Sequence, residues 1–582
     1  MKKLIALILA GCFVLPFAAC NNAVNPNPDT PQGKYDVPGE NKTQINFTVY
    51  GGALDGEWAD VICEEFAKEY SEYYFGGGSK KGVYFNKNRT YNTSPETVGT
   101  TDQHIVTAYT TNIKNTLSNS SSYYNLKDLV TDDNREGGSI ENNLFPMTKD
   151  QVRSYNGDYY ALPYFEYFNG IQYNRNVFSE QKALFADESD TSAQSFKSKF
   201  SNKTYKLTND NGILAKGPDG VAGTVDDGLP SSVEEFLVMM DYFKRRTNYW
   251  PITVSGACIL YVESLVQGMI AALAGQKEME NYYNSTGEIE VIDRDSNGNI
   301  VYETDGHGNR LPLFESIDYI SKPKIKTITL TPENGYLASD LAARFYAYAI
   351  LEIMQKENFF SPETTDGGIS HYDAQLQLMV GNRIARYSNA AMLVEYTYWW
   401  NESVNAGNVD QAKLVGISRE NIDVRPMSLP TKFYSDSEEV LETPSLLRVH
   451  GFYYFVSEKI NLAPDVKEAV LAFTKYFYSE KTLKKITKIS GYPLSLKYEL
   501  SEQDLREMDN YTRILWGMRR TDGSNVIMES DTRLNHDLLR LGKFMGYEKA
   551  VAPYSAIKTY GAAELFVKNS INKSLWRTSA SN

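Results

Sequence analysis

Ile45-Asn46-Phe47-Thr48-Val49-Tyr50 alternates apolar and polar side chains, the period of a half-buried strand. Gly51 to Trp58 follows as a glycine-bearing loop, and from Asp60 to Tyr70 the period changes, placing Ile62, Phe66 and Tyr70 on one helical face. A strand, a loop and a helix in that order put the loop at the carboxyl end of a strand, where open α/β sheets bind their ligands. Residues 75–100 are polar and glycine-bearing and read as an excursion. Gly157-Asp158 predicts a turn, after which Tyr159–Phe165 and Gly170–Tyr173 read as strand segments joined through Glu166-Tyr167-Phe168-Asn169. Ser231 and Glu234 have the spacing of a capping box, with Val233, Phe236, Met240 and Phe243 on one face behind it. Ile289–Glu303 alternates on both sides of Asp295-Ser296-Asn297-Gly298-Asn299, which predicts a hairpin. The same stretch opens like a calcium-binding loop, but Thr304 stands where the bidentate Glu is required, so the hairpin is preferred. Helices are expected over Leu341–Lys356, over Gln375–Val380 with Gly381 as the stop, and from Pro464, with Val466, Val470, Phe473 and Phe477 sharing a face. Gly491 closes the helix after that one. Strands and helices mix throughout and no fixed-period repeat is visible, so the class is α/β.

The amino terminus follows a different logic. Met1-Lys2-Lys3 is positive, Leu4–Ala10 and Val14–Ala19 are apolar, and the run ends Leu15-Pro16-Phe17-Ala18-Ala19-Cys20. This is the layout of a secretory signal, too short and poorly flanked for a permanent membrane helix. Small residues before a cysteine resemble the bacterial lipobox, which implies removal of residues 1–19, lipidation of Cys20 and a protein held on the outer face of the cytoplasmic membrane. An ordinary signal cleaved nearby, with Cys20 incidental, is the alternative. Residues 20–43 are rich in Asn and Pro with little to bury, and read as a disordered tether. Cys258–Ala274 is the most apolar later run, but Glu263 and Gln267 mark it as a buried helix.

Composition narrows the function classes. The net charge of −14 over 582 residues excludes the basic footprint that nucleic-acid binding needs. Cys63 and Cys258 lie in apolar helical patterns and read as buried free thiols, and no CxxC supports a zinc or redox site. The chain has no HExxH, no GxSxG and no phosphate-binding glycine loop. That argues against an enzyme, although a glycosidase's two carboxylates can lie far apart in sequence. Asp219-Gly220 through Asp227-Gly228 offers Asp219, Asp226 and Asp227 as oxygen ligands on a tight loop, which suits calcium; no other cofactor is expected, and a plain turn is the competing reading. The 42 tyrosines and 13% aromatic content suit either platforms for sugar rings or ordinary packing.

Several stretches together resemble the family 1 extracellular solute-binding proteins, the maltose-binding-protein-like group. They are Phe47–Tyr70; Tyr155–Pro163 followed by Asn169–Asn174; Gly381-Asn382-Arg383 leading to Ala390-Ala391-Met392 and Tyr398-Trp399-Trp400; Met427-Ser428-Leu429-Pro430; and Ser490-Gly491-Tyr492-Pro493. Their order matches the family along most of residues 44–575. The resemblance implies a two-lobed, periplasmic-binding-protein-like (type II) α/β fold with a hinge and a central ligand cleft. Lobe one is expected over 44–167 and 434–492, lobe two over 168–433 and 493–582, with extra length near 75–100 and 276–335. With the lipobox and the Tyr398-Trp399-Trp400 cluster, it implies capture of a carbohydrate, an oligosaccharide, and delivery to the permease subunits of an ABC importer. A lipid-anchored glycan hydrolase, a sensor partner with the same fold, and a binder of a non-sugar solute are the alternatives.

Sugar recognition needs flat apolar faces and a few placed polar groups. Tyr398 and Trp400, on one side of an expected strand with Trp399 facing away, fall near the family's stacking aromatics; core packing is the competing reading. Glu166, Tyr167 and Asn169 lie in the chain crossing, where polar groups meet a ligand, or else form a structural turn. Glu395 precedes the aromatic cluster. Asp55, Glu57 and Trp58 lie on the first loop, with helix-capping packing as the alternative for Trp58. Tyr492 and Trp516 complete the candidates.

Overall fold

The computed structural model describes residues 41–519 apart from 52–55, 91–92, 111–112, 119, 135–136, 155, 259, 332, 384–387, 437–445 and 450, together with 526–528, 554–568 and positions 570, 573 and 576. The signal, Cys20 and nearly all of the expected tether, like Asp55, lie outside the described residues. Along the chain the strands of the two main sheets are β1 (Thr43–Tyr50), β2 (Val83–Thr90), β3 (Ile105–Tyr109), β4 (Leu162–Pro163), β5 (Tyr167–Asn174), β6 (Trp250–Thr253), β7 (Ala390–Tyr396), β8 (Val424–Met427), β9 (Leu446–Val449), β10 (Phe452–Val456) and β11 (Val526–Met528). The helices that matter below are α1 (Glu57–Glu69), α2 (Val233–Arg246), α3 (Leu260–Asn284), α4 (Ala342–Lys356), α5 (His371–Val380), α6 (Trp399–Asn405), α7 (Pro464–Phe477), α8 (Glu480–Ser490) and α9 (Asn510–Met518). No described helix is long and apolar enough to cross a membrane.

The first sheet runs β2-β1-β3-β10-β4 and the second β11-β9-β5-β7-β6, with β8 also on β5. Each sheet has its own hydrophobic core. Phe47, Trp58, Phe66, Phe473 and Phe477 fill the first. Phe178, Phe236, Phe243, Phe345 and Tyr348 fill the second. Two of the chain's three passages between the sheets lie side by side at one place. β4 leads into β5, and β9 into β10; Val449 pairs with Tyr167 on one side and Tyr453 with Pro163 on the other, while Tyr164 N–H donates to Phe452 O at 3.0 Å. The two crossings therefore form one ribbon continuous with both sheets.

Local sequence explains the helices on the first core. α1 carries Glu57 and Asp60 in its first turn and Lys68 in its last, each complementing the helix dipole, and buries Trp58, Ile62, Cys63 and Phe66. α7 starts on Pro464. α8 ends on Gly491 in the left-handed region at φ 73°, its N–H donating to Thr487 O.

Several expectations are corrected. The excursion at 75–100 contains β2, which pairs in parallel with β1 along its whole length from Thr43↔Val83 to Tyr50↔Thr90. The cap of α2 is Ser232, not Ser231: its side chain accepts from Glu235 N–H, and Glu235 in turn accepts from Ser231 N–H at 2.7 Å. The hairpin is only partly as expected. A turn does form at Asp295–Asn299, where Asp295 Oδ1 accepts from the N–H groups of Asn297 and Asn299, and it recurs at Asp305–Asn309. The strand Gly287–Ile292, however, pairs antiparallel with Ile325–Leu330 rather than with the residues after the first turn. Cys63 is buried as expected, whereas Cys258 is only half-buried, and no disulfide joins the two. Residues 398–400 are not a strand: Tyr398 is the residue before α6, and both tryptophans lie in its first turn.

Candidate functional site

β1, β3 and β7 all end where the two sheets meet. Tyr50 and Tyr109, the last residues of β1 and β3, each place a ring 5.2 Å from Phe452. Phe452 continues to Tyr167 (5.6 Å), and Tyr167 to Tyr396 (5.2 Å) and Tyr398 (5.3 Å). Tyr396 stacks on Tyr398 at 5.4 Å with planes 21° apart, and reaches Tyr261 at 6.0 Å. Tyr261 in turn stacks on His371 at 5.9 Å. The rings thus form a band from the carboxyl ends of the first sheet to the first residues of α5. Tyr396 packs against both cores, which marks this band as the seam between them.

Two carboxylates lie at the second-sheet end of the seam. Gln375 Nε2 donates to Glu402 Oε2 at 2.9 Å and to Glu395 Oε2 at 3.4 Å, and His371 Nε2 lies 3.7 Å from Glu402 Oε1. Burial, with Glu402's charge beside it, pushes the Glu395 carboxyl well above its ordinary range. Burial likewise raises Tyr261 and Tyr398 above the ordinary phenol value. Rings with apolar faces, phenol donors and carboxyl acceptors in one seam are the elements a polyhydroxylated ring needs: C–H faces to stack on and partners for its hydroxyls.

No family model matches the sequence, and no curated protein matches it. Solved structures do match the fold. One titled "Chitin oligosaccharide binding protein" covers 93% of this chain and 100% of its own at a TM-score of 0.53 and 12% identity. One titled "SBP RafE in complex with raffinose" covers 93% and 100% at 0.51 and 12%. A probable secreted solute-binding lipoprotein from Streptomyces coelicolor covers 93% and 100% at 0.52 and 10%. The chain has the solute-binding-protein fold. The two sheets, their separate cores and the crossing ribbon are its two lobes and the link between them, which is the architecture expected from the sequence.

Within this solute-binding-protein fold the sequence-predicted residues separate into three groups. Tyr167 and Tyr398 lie in the seam, with Glu395 beside them. Tyr492 supports them: its hydroxyl donates to Tyr398 O at 2.6 Å and its ring meets Phe165 edge-on. The second group is committed elsewhere. Trp58 is 1% exposed in the first core, against Phe47, Tyr164, Phe165 and Phe477. Trp399 is fully buried, its Nε1 donating to Tyr511 Oη. Glu166 is paired inside the protein with Arg519, whose guanidinium also donates to the carbonyls of Leu494 and Leu496 and sits 4.8 Å from the Trp516 ring. Trp400 is buried, packs its ring on Tyr511 at 6.0 Å, and lines a cavity with it. Of the rest, Glu57 is exposed in the first turn of α1, outside the seam, and the Asn169 backbone pairs with Tyr396 and Leu447.

In the Asp219–Gly228 loop the carboxylates serve as turn acceptors. Asp226 accepts from Asp219 N–H and Thr224 Oγ1, and Asp227 from Gly223 N–H. Among the described residues no three His, Cys, Asp or Glu side chains are grouped to hold a metal ion.

Sequence reading missed Tyr50, Tyr109, Phe452, Tyr261, His371, Gln375 and Glu402. Tyr50 and Tyr109 carry a usable signal, since each ends a strand of the first sheet, where α/β folds place ligand contacts. Gln375 and Glu402 lie in helices α5 and α6 and carry none.

Proposed function

We propose that this chain is the ligand-capturing subunit of an ABC importer and that it takes a carbohydrate, an oligosaccharide, in the aromatic seam between its lobes. The observation that carries this reading is the ring band Tyr50–Phe452–Tyr167–Tyr398–Tyr396–Tyr261, ending on Glu395 and Glu402, in a solute-binding-protein fold. Two of the structural neighbours are described by their titles as binding chitin oligosaccharide or raffinose. The ligand contacts both lobes, and that shared contact favours the closed arrangement over the open one, a population shift set by the difference in affinity. Cys20 is the lipidated residue in this reading, residues 1–19 are removed, and the closed form is what the permease subunits receive.

Isothermal titration of the mature protein against a panel of neutral oligosaccharides tests the reading. Saturable binding of at least one glycan, lost when Tyr398 is replaced, supports it. Tight binding of a peptide or a metal with no glycan binding overturns the carbohydrate part. Assaying the same mixtures for new reducing ends separates capture from hydrolysis: turnover abolished by Glu395→Gln or Glu402→Gln favours the hydrolase.

A further inference from the structure

The described chain begins at Asn41, just before β1. Asn41 O accepts from Lys81 N–H at 2.9 Å, Thr43 N–H donates to Gly82 O at 3.1 Å, and Lys81 forms a bridge with Tyr74. The entry point is thereby stitched to the loop between α1 and β2. In that loop Tyr73 is 45% and Tyr74 51% exposed. The Tyr73 ring is held in its exposed position: its hydroxyl donates to Glu468 at 2.7 Å and its face meets Phe75 at 4.8 Å. Gly76, at φ 60°, lies so close to the start of α7 that a Cβ there would sit 2.5 Å from the backbone of Pro464 and Asp465. Leu462, two residues before Pro464, is 84% exposed.

The charges at this edge are sorted. Asp465 and Glu468 turn inward, Asp465 accepting from Thr43 Oγ1 at 3.1 Å and Glu468 from Gly76 N–H. Lys80 and Lys81 reach Asp465 and Glu72, yet keep 46% and 43% of their side chains exposed, and surface pairs of this kind exchange partners at little cost. Gly77 and Gly78 are exposed with no side chain to hold a surface off. Phenol rings, a leucine and ammonium groups around a bare turn suit the headgroup–acyl boundary of a membrane, where rings settle at headgroup level and lysines meet phosphates. A body of net charge −14 is repelled as a whole by anionic lipid, but here Lys42, Lys80 and Lys81 balance Glu72, Asp465 and Glu468.

The chain itself decides what covers this edge. Cys20 stands 21 residues before Asn41, a length whose coil span is about 25 Å and whose full reach is about 70 Å. An acylated Cys20 holds this edge nearest to the lipid surface, at an effective concentration in the millimolar range. We infer that the edge is a membrane-resting surface: Tyr73, Tyr74 and Leu462 settle into the headgroup–acyl boundary of the phospholipid leaflet that carries the anchor, with Lys80 and Lys81 on its phosphates. β1 runs from this edge to Tyr50 in the seam, about 25 Å, so a body resting here holds the seam clear of the membrane. The inference rests on the lipidation of Cys20 in the proposed function and on no feature of the seam.

The test uses the mature chain with a hexahistidine tag in place of Cys20. It is attached to vesicles of phosphatidylethanolamine, phosphatidylglycerol and a nickel-chelating lipid, and amide hydrogen exchange is read by mass spectrometry. Peptides covering residues 71–82 are expected to exchange about twofold slower or more on the vesicles than on nickel-chelating agarose at the same loading, with the turns at Asp295–Asn299 and Asp305–Asn309 unchanged. Tyr74→Ser with Leu462→Ser, both exposed, is expected to abolish the difference and leave the melting temperature unchanged. Equal exchange on vesicles and agarose overturns the proposal, as does slowing that spreads equally to the two turns or survives in the double variant. Slowing on agarose that grows with loading marks a second copy as the occupant and overturns it too. Acylation is read separately, from the mass of the amino-terminal peptide of protein recovered from cells: an unmodified Cys20 sinks the anchor, whereas the vesicle result sinks the surface.

Discussion

Arg519→Met removes the cation from a fully buried ion pair. The side chains of Arg519 and Glu166 have no exposure, and the guanidinium also donates to the carbonyls of Leu494, at 3.1 Å, and Leu496. The variant leaves the Glu166 carboxylate without its countercharge in a low-dielectric interior, which costs about 3–5 kcal/mol. Two carbonyls lose a partner at the same time, adding about 1 kcal/mol each where nothing replaces it. Methionine fills much of the vacated volume, so cavity formation contributes little. Urea unfolding of the single variant and of Glu166→Leu/Arg519→Met together measures the coupling. The double variant carries no buried charge and should recover about 2 kcal/mol or more relative to the single one. A single variant that loses less than about 1 kcal/mol, or a double variant that loses the sum of its parts, would refute the reasoning. Because Glu166 sits where β4 passes into β5 and Arg519 follows α9, the same variant should also loosen the crossing, read as faster amide exchange at Tyr164 and Phe168.

Trp58→Ala should destabilise by about 3–5 kcal/mol through lost packing in the first core while leaving glycan specificity unchanged in titration. Tyr398→Ala should instead weaken glycan binding at least tenfold; binding equal to wild type would remove Tyr398 from the seam's ligand contacts. Glu395 is a carboxyl raised in the folded state, so the folded protein holds its proton where the unfolded chain has lost it. The Glu395 contribution to stability is therefore full below the ordinary glutamate value of 4.5 and is lost as pH rises above it, and Glu395→Gln should remove that contribution from melts compared between pH 5 and 7. An unchanged slope would contradict the burial assigned to Glu395.

The parts of the fold legible in sequence are those decided locally. The alternation in β1, the apolar face of α7 and the glycine after α8 each carry their own period or backbone requirement. β2 was hidden because it is an edge strand whose second half is polar; its pairing with β1, not its own pattern, makes it a strand. Three aromatic residues in a row fit either period, and the packing of Trp399 and Trp400 on Tyr511 selects a helix at that point. Glu166 looked like a ligand group because a lone carboxylate at a crossing invites that reading. Its partner lies 353 residues further along the chain, a pairing that no spacing rule detects. The seam was half legible for the same reason: Tyr167, Tyr398 and Glu395 stand near one another in recognisable segments, whereas Gln375 reaches Glu395 and Glu402 only once α5 has packed beside β7.

The two turns at Asp295–Asn299 and Asp305–Asn309 satisfy their own hydrogen bonds, with Asp295 and Asp305 each holding the asparagine four residues on. Their tips are exposed and use no side chain from either main sheet. A peptide tag or a fluorophore-bearing cysteine can therefore be placed at Ser296 or Gly306, exposed tip positions outside the left-handed glycines Gly298 and Gly308, as a handle for immobilisation that occupies no position either lobe needs.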